Sequence, residues 1–328
     1  MTTKKERLEA AIHGDVADRP PVALWRHFPV DDQDPEELSA STAAFQRRYD
    51  FDFVKVTPAS SFCIKDWGSM DRWEGSTEGT RAYSHRVIRE IQDWRELQIL
   101  DPAAGYLADQ IECLRLLRDE LGQETPIIQT IFSPLSQAKN LAGSDRLQRH
   151  LNQDPHEVVR GLKVITESAL SFIQACIDVG VDGIFYAIQH ASYDYFDRES
   201  YQRLAEGDDL KILEAAADLW LNVLHLHGGN LMFEVASDYP AHVINWHAQT
   251  EGPELGVAKT EVQGAVCGGL RRHDTLVLGD PSAVRVEAER AMQATQGRGF
   301  VLGAGCVTPI IAPASNLRAA RESVRDFA

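Results

Sequence analysis

Two histidines separated by one residue are the part of this sequence best suited to chemistry. His225 and His227 stand in the stretch LHLHGGN, at the end of an apolar run. If the run is a β-strand, both side chains point to one face, because side chains alternate along a strand. Cys306 follows the last apolar run, VLGAG, 79 positions further on. Two imidazoles and a thiolate are good zinc ligands, and three protein ligands leave a fourth position open for chemistry.

The spacing alone does not decide in favour of a metal site. A separation of 79 residues excludes a local zinc finger, so the fold has to bring Cys306 to the histidines. HxH pairs are common in proteins. The alternative is that both histidines are core or rim residues and that Cys306 is a small buried side chain.

The elements that would position these residues alternate between short apolar runs and longer helical patterns. The helical pattern that includes residues 158–177 has apolar residues at three-to-four spacing, as on one helix face. Ser133-Pro134, Asp154-Pro155 and Asp280-Pro281 are typical helix starts, with a capping side chain followed by proline. The predicted strands are residues 21–25, 51–56, 126–132, 183–188, 221–227, 242–247, 264–269 and 300–305.

Eight strands alternating with helices predict a single α/β domain over residues 1–328, a (β/α)8 TIM barrel. The alternative fold is an open doubly wound sheet, in which a glycine-rich phosphate-binding motif is expected after an early strand. No such motif is present. The segment 60–100 is too polar for the barrel wall, and we predict that it is an insertion after the second strand, near the barrel mouth.

In a barrel of this kind the chemistry lies at the carboxyl ends of the strands. These ends give a set of candidate substrate-binding residues, some of them equally well explained by packing or by salt bridges at the rim: Arg26, Gln189, His190, Tyr193, Asn245 and His247. Lys55 is a further candidate by position alone, and Glu234 is a candidate fourth metal ligand whose more ordinary interpretation is a surface carboxylate.

Composition limits the partners. The net charge of −16 would repel phosphate backbones, so we expect no binding of nucleic acid. No apolar run is long enough to cross a bilayer, and the charged start MTTKKERLEA lacks a signal region. The five cysteines are widely spaced without a CxxC pair, which argues against disulfides. We therefore expect a soluble cytoplasmic protein.

The chain resembles the uroporphyrinogen decarboxylase superfamily of (β/α)8 barrels over nearly its whole length. The resemblance lies in the order and spacing of several stretches: ADRPPVALW, YDFDFVKVTP, DWG, IFSPLSQAKNL, GVDGIFYA, LHLHGGN, LGDPSAVRVEAERAM and GRGFVLGAGCVTPIIAPASNLRAARESV. The branch it resembles most is that of the cobamide-dependent methyltransferases of the methylcobalamin:coenzyme M type.

The resemblance implies a catalytic metal site. That branch carries zinc on an HxCG motif after the fifth strand and a GC motif after the eighth, which correspond to His225, His227 and Cys306. The zinc holds a small thiol as thiolate, and the thiolate takes a methyl group from methylcobalamin, either free or on a corrinoid carrier protein. We therefore expect zinc and a cobamide as cofactors, and a thiol or a folate as acceptor.

Two departures bear on this expectation. His227 replaces the first cysteine of the branch, so two neutral imidazoles and one thiolate leave the zinc centre formally cationic instead of neutral. A more positive centre lowers the pKa of a bound thiol further but makes the thiolate less nucleophilic. The alternative is a metal-free decarboxylase of the uroporphyrinogen type, but the chain matches that enzyme's arginine-rich stretch only at Arg26 and has Cys306 in place of its C-terminal histidine.

Overall fold

The computed structural model describes residues 2–325, and these residues form a parallel β-barrel surrounded by helices. The strands are β1 (Val54–Val56), β2 (Met70–Arg72), β3 (Ala82–His85), β4 (Ile127–Phe132), β5 (Gly183–Ile188), β6 (Val223–Leu226), β7 (Val243–Asn245), β8 (Ala265–Leu270) and β9 (Phe300–Ala304). All of them except β2 and β3 form one curled parallel sheet, in which each strand pairs with the next along the chain. This is the TIM-barrel architecture that the alternating pattern predicts.

Helices follow the strands and cover the outside of the sheet. The α-helices are α1 (Lys4–His13), α2 (Pro35–Tyr49), α3 (Gly105–Leu121), α4 (Pro134–Ala142), α5 (Ser144–Gln153), α6 (Pro155–Val179), α7 (Arg198–Tyr201), α8 (Gly207–Ala215), α9 (Glu234–Asp238), α10 (Leu255–Glu261), α11 (Pro281–Thr295) and α12 (Ala314–Glu322). Short 3-10 turns cover Asp31–Gln33, Phe62–Trp67 and Ile91–Arg95, and a π-helical turn covers Gln202–Glu206.

Three helix starts follow directly from the sequence. The side-chain oxygens of Ser133, Asp154 and Asp280 accept hydrogen bonds from backbone N–H groups in the first turns of α4, α6 and α11, each with proline at the first position. These contacts satisfy N–H groups that have no partner inside the helix. The capping predictions are confirmed, and α6 covers the whole of the periodic pattern at 158–177.

Seven of the eight predicted strands are confirmed, and the first, residues 21–25, is not. This segment shares a single parallel bridge with β9, between Val22 and Leu302. The Val22 N–H donates to the Asp52 carboxylate (2.8 Å) and is therefore not free to extend a backbone ladder. The segment nevertheless closes the barrel, because Leu302 N donates to Pro21 O (2.8 Å) and Asp52 N donates to Val22 O (2.9 Å).

An ionic network holds this seam between the segment at Val22 and β1. The Asp52 carboxylate is fully buried and accepts hydrogen bonds from Arg7 (2.7 Å) and Arg19 (2.8 Å) as well as from Val22 N. A buried carboxylate is tolerated when cations and N–H groups satisfy its oxygens. Arg7 also pairs with Asp18 (2.8 Å), so the network ties α1 to the seam.

The segment 60–100 combines an exposed hairpin with a buried return path. β2 and β3 pair antiparallel, and their side chains are exposed or partly exposed. Ile88, Ile91 and Trp94, in contrast, are buried in the main core. The prediction that the segment is a polar insertion is therefore not confirmed: the hairpin is exposed, whereas the turn before it, with Phe62 and Ile64, and the return path after it are buried. In the buried parts of the segment, only a few apolar side chains pack into the core, and many polar residues lie between them in the sequence.

Candidate metal centre

The carboxyl ends of the barrel strands bring the three predicted ligands together. His225 lies in β6, His227 follows that strand directly, and Cys306 comes two residues after β9. His225 Nε2 lies 3.4 Å from His227 Nδ1, and the same Nδ1 lies 3.6 Å from the Cys306 sulfur. All three ligand atoms lie within 4.8 Å of one another. The fold thus brings Cys306 to the histidine pair across the barrel mouth.

These distances fit the edges of a zinc coordination tetrahedron. Zinc–nitrogen bonds of about 2.0–2.1 Å and a zinc–sulfur bond of about 2.3 Å place two ligand nitrogens about 3.3 Å apart, and nitrogen and sulfur about 3.6 Å apart. The separations of 3.4 Å and 3.6 Å agree with both edges. The donor set, two imidazoles and a thiol, is also one that zinc accepts readily.

Asn245 fixes the orientation and tautomer of His225. Its amide nitrogen donates to the backbone oxygens of Cys267 (2.9 Å) and Ala304 (3.0 Å), so its oxygen must face the ring. That oxygen lies 2.7 Å from His225 Nδ1 and accepts the Nδ1 proton. The lone pair of His225 therefore lies on Nε2, the atom that faces His227 and Cys306. Metal-binding histidines are typically held by such a hydrogen bond on the other ring nitrogen.

The imidazoles favour a thiolate at Cys306. Burial alone would raise the pKa of this thiol, but its interactions with His225, His227 and His247 outweigh burial and hold the pKa well below its ordinary value. Burial lowers the pKa of His225, which favours the neutral imidazole that a metal needs. The pKa of His227 is raised, because its contact with Cys306 outweighs the effect of burial.

A cavity of about 420 Å³ lies over the three ligands and forms the barrel mouth. Its polar lining includes two lysines, Lys55 and Lys139, and burial lowers the pKa of these amines to about 7 and about 8. Lys139 donates to the Gln189 side chain (2.9 Å). The Lys55 amine lies 4.6 Å above the ring of Phe185, which in turn stacks on His225 at 5.2 Å. The cavity thus holds two amines that burial draws toward the neutral form, and a bound anion would favour their charged form.

Sequence reasoning missed Lys139 as a cavity residue. It lies in α4, whose other eight residues are all buried. A charged residue in an otherwise buried helix directly after a barrel strand is a signal that could have found it, since the first turns of such a helix lie near the mouth. His27, at the same predicted strand end as Arg26, lines the cavity, whereas Arg26 was the residue selected as the substrate contact.

The structure places three predicted substrate contacts away from this cavity. Arg26 packs its guanidinium over the rings of Phe28 (5.1 Å) and Phe45 (5.9 Å) and donates to a backbone oxygen (3.2 Å), on the outer side of its segment. His190 is buried, and its ring lies 5.2 Å from that of Tyr195. Tyr193 is about half exposed, and its hydroxyl donates to Glu234. The same contact gives Glu234 a partner outside the ligand cluster.

Of the other predicted contacts, Gln189 lines the cavity and Asn245 supports His225 from below. His247 lines a neighbouring cavity of about 270 Å³ together with Gly305 and Arg272. Its ring centre lies 5.4 Å from that of His227. His247 therefore lies against the ligand cluster without lining the main cavity.

The tip of the β2–β3 hairpin covers part of the mouth. Glu78 at this tip pairs with Arg272 and with His273 (2.7 Å), both of which follow β8. Gly79 has a positive φ of 77°, and a Cβ at this position would lie 2.5 Å from the His27 side chain. The ion pair thus holds the tip against the rim. The tip can lie this close because Gly79 has no side chain that would collide with His27.

The fold and the site thus define a parallel barrel with a candidate metal-binding group of two imidazoles and a thiol at its mouth. The family model described as uroporphyrinogen decarboxylase (URO-D) matches residues 3–327. The chain therefore belongs to the uroporphyrinogen decarboxylase family, and the predicted resemblance is confirmed.

Several proteins that are similar to this chain are named as methyltransferases. The methylcobamide:CoM methyltransferase MtbA of Methanosarcina acetivorans is 22% identical over 340 residues, which cover 99% of this chain and 98% of MtbA. The solved structure of a methyltransferase from Methanosarcina mazei covers 98% of this chain and 99% of its own, with a TM-score of 0.86 at 17% identity. A putative vitamin-B12 independent methionine synthase from Listeria monocytogenes has the same fold at a TM-score of 0.58 and 13% identity, with 96% of each chain covered.

Proposed function

We propose that this protein is a zinc-dependent methyltransferase that moves a methyl group from a methylated corrinoid to a small thiol. The observation that carries the proposal is the match between the His225, His227 and Cys306 separations and the edges of a zinc tetrahedron. The names of the relatives support the same chemistry, since they join a methylcobamide donor with a CoM acceptor.

Each residue of the centre has a role in this proposal. His225, His227 and Cys306 hold the metal, and Asn245 keeps His225 in the tautomer with its lone pair on Nε2. Zinc bound there would supply a Lewis acid that holds the acceptor sulfur as thiolate, the form that attacks a methyl group. Lys55 and Lys139 make the cavity favourable for an acceptor that carries a negative group.

The size of the cavity separates acceptor from donor. About 420 Å³ is suited to a small molecule. A corrinoid is much larger, so the donor must lie over the mouth, either free or on a carrier protein, with its methyl group directed inwards.

All five cysteines are free thiols, which agrees with the expected cytoplasmic location because disulfides are rare there. No helix within residues 2–325 is apolar and long enough to span a membrane.

The decarboxylase alternative gains no support from the site. A substrate with many carboxylates needs several unpaired cations in one mouth. Arg26 lies outside the cavity, and the arginine that lines it, Arg272, is paired with Glu78. Lys55 and Lys139 are the remaining cations of the lining, and burial lowers the pKa of both amines toward neutrality. The family description alone therefore does not favour decarboxylation.

The test combines metal analysis with the visible spectrum of the corrinoid. Protein purified without added zinc should contain about one zinc per chain, and it should demethylate methylcobalamin only when a thiol such as coenzyme M is present. The Cys306→Ala variant is the matched control, because it should lose both properties. Metal-loaded protein that leaves the spectrum of methylcobalamin unchanged with every thiol offered would exclude the corrinoid donor.

A further inference from the structure

A cationic pocket lies on the rim of the barrel, outside the site described so far. It is open to solvent, has a volume of about 450 Å³, and is lined by three arginines, Arg86, Arg146 and Arg149. Asp145 also lines it, with its side chain exposed. Within residues 2–325, none of the three guanidinium groups forms an ion pair with a carboxylate, although the chain carries a net charge of −16. The pocket is therefore locally cationic on an acidic protein.

Arg86 is held in place, although no anion balances it. Its guanidinium lies 4.1 Å above the ring of Tyr83 and donates to the backbone oxygens of Lys139 (3.4 Å) and Asn140. On its other side it contacts Gly143, where a Cβ would lie 3.5 Å from the arginine side chain. A guanidinium fixed in this way needs little reorganisation to receive a ligand.

Arg146 reinforces the charge. One of its nitrogens donates to the backbone oxygens of Ile88 (3.0 Å) and Ala142 (2.9 Å), which leaves its remaining N–H groups for the pocket. Burial lowers the pKa of Arg86, and the nearby charge of Arg146 lowers it further. Two partly buried cations that repel each other are an unfavourable arrangement, and a bound anion would relieve it.

We propose that the pocket between Arg86, Arg146 and Arg149 binds a phosphate group. The three side chains come from two different elements, the loop after β3 and the helix α5, so donors from both elements can contact one ligand. A single guanidinium fork already satisfies the two oxygens of a carboxylate, whereas a tetrahedral oxyanion offers oxygens to several forks at once.

The location connects this pocket with the mouth. Tyr83, Lys139 and Asn140, which contact Arg86, all line the main cavity. A molecule that covers the mouth can therefore reach the arginines. The phosphate has two possible sources: free phosphate or a phosphorylated small molecule, and the phosphodiester in the nucleotide loop of a cobamide donor. The second source rests on the proposed function, and the first does not.

Phosphate binding is measured first, without any activity. Inorganic phosphate is titrated calorimetrically into the full chain at constant ionic strength, with chloride as the reference anion. Arg149→Gln should weaken binding by about fivefold, the value of one partly screened charge contact, and adding Arg146→Gln should weaken it further. Within residues 2–325, the Arg149 side chain forms no hydrogen bond, so the Arg149→Gln variant should fold like the wild type, which a melting curve checks.

Arg318→Gln is the matched control, since Arg318 is also an exposed helical arginine, on α12, away from the pocket. It should bind phosphate as the wild type does. Wild-type protein that binds phosphate no better than chloride would overturn the proposal. So would undiminished binding in the double variant Arg146→Gln/Arg149→Gln.

The two sources are separated by two methyl donors, methylcobalamin and methylcobinamide, of which the second lacks the nucleotide loop and its phosphodiester. If the donor supplies the phosphate, Arg149→Gln raises the KM for methylcobalamin relative to that for methylcobinamide. If the ratio stays constant while phosphate binding is lost, the site serves a free or small-molecule phosphate. Failure of both donors in the wild type would count against the proposed function and leave the phosphate titration to decide this proposal by itself.

Discussion

The hydrogen bond between Asn245 and His225 gives the sharpest test of the metal centre. Replacing Asn245 by alanine removes three hydrogen bonds: one to the His225 ring (2.7 Å) and two to the backbone oxygens of Cys267 (2.9 Å) and Ala304 (3.0 Å). Without an acceptor at Nδ1, the His225 ring is free to carry its proton on Nε2, the atom that would have to bind the metal. The variant should therefore lose both stability and zinc affinity.

The two losses can be estimated separately. Asn245 is fully buried, and leaving a buried group without a partner costs about 1–3 kcal/mol, so the loss of three partners should lower the unfolding free energy of the zinc-free protein by about 3 kcal/mol or more. The loss of a supporting hydrogen bond to a metal ligand typically weakens metal binding by about 10- to 100-fold. The first loss is general, whereas the second is specific to the metal.

Asn316 offers a matched control for the general loss. It is also buried, and its amide nitrogen also donates to two backbone oxygens, those of Leu276 (3.2 Å) and Gly279 (2.8 Å), away from the metal centre. Urea unfolding of zinc-free protein gives the stability of each variant, and competition with a chromogenic chelator gives the zinc affinity. Both alanine variants should lose stability, and only Asn245→Ala should lose zinc affinity.

A zinc affinity that stays at the wild-type value in Asn245→Ala would refute the tautomer argument. An equal loss of affinity in Asn316→Ala would refute it as well, since affinity would then follow global stability. Rescue would give independent support. In Asn245→Asp, a carboxylate can accept the Nδ1 proton but faces two backbone oxygens, so zinc affinity should recover in part while stability stays low.

Three further predictions address the ligands and one buried carboxyl group. Cys306→Ala should lose most of its zinc but keep its melting temperature in the zinc-free state, because Cys306 is only partly buried; a matching zinc content by metal analysis would exclude it as a ligand. His227→Cys should retain zinc and transfer methyl faster to a thiol, since a second thiolate ligand makes the centre less positive, and a slower single-turnover rate would contradict this. Burial raises the pKa of Asp209 to about 6, while hydrogen bonds from Tyr186 (2.5 Å) and Tyr201 (2.6 Å) oppose the shift. The folded state then holds a proton that the unfolded chain releases near pH 4, so the stability of the wild type relative to Asp209→Asn should fall as pH rises from about 4 to about 6, by at most about 1.4 kcal/mol per pH unit. If urea unfolding gave the same stability difference between the wild type and Asp209→Asn at every pH, the raised pKa of Asp209 would be refuted.

The parts of the fold that depend on local patterns could be predicted from the sequence. Seven strands, the periodic helix α6 and three helix caps followed by proline could be predicted from spacing within short stretches. The segment 21–25 differs because its N–H partner is the carboxylate of Asp52, 30 residues away. No local pattern reveals that a side chain takes a backbone donor at that distance.

The candidate site shows the same division. Residues two apart on a strand share a face, so the pairing of His225 and His227 could be predicted. The role of Asn245 could not, because it depends on the register that sets Asn245 directly beside His225 in the neighbouring strand. Asn245 is the last residue of β7 and is fully buried, so it contacts the ring of His225 and does not line the cavity where a substrate contact was predicted.

Arg26 and Tyr193 show how tertiary contacts decide the direction of a long side chain. Both follow predicted strands, but aromatic rings of Phe28 and Phe45 hold the guanidinium of Arg26, and the carboxylate of Glu234 holds the Tyr193 hydroxyl. Those partners come from other elements of the chain. The spacing of residues around Arg26 and Tyr193 therefore carries no information about them.

The ionic seam at Asp52 has a consequence for the order of folding. The bridge that completes the barrel joins Val22 to Leu302, residues 280 positions apart, so it cannot form until nearly the whole chain has left the ribosome. Until then, β1 has no partner on one side, apart from the short segment that Asp52 and Arg19 hold in place. The contacts of Asp52 with Arg7 and Arg19 can form from the first 52 residues alone, and they hold a segment that shields this edge from pairing with another chain. Loss of the Asp52 carboxylate should therefore lower the yield of correctly folded protein during synthesis more than it lowers the equilibrium stability of protein that has already closed.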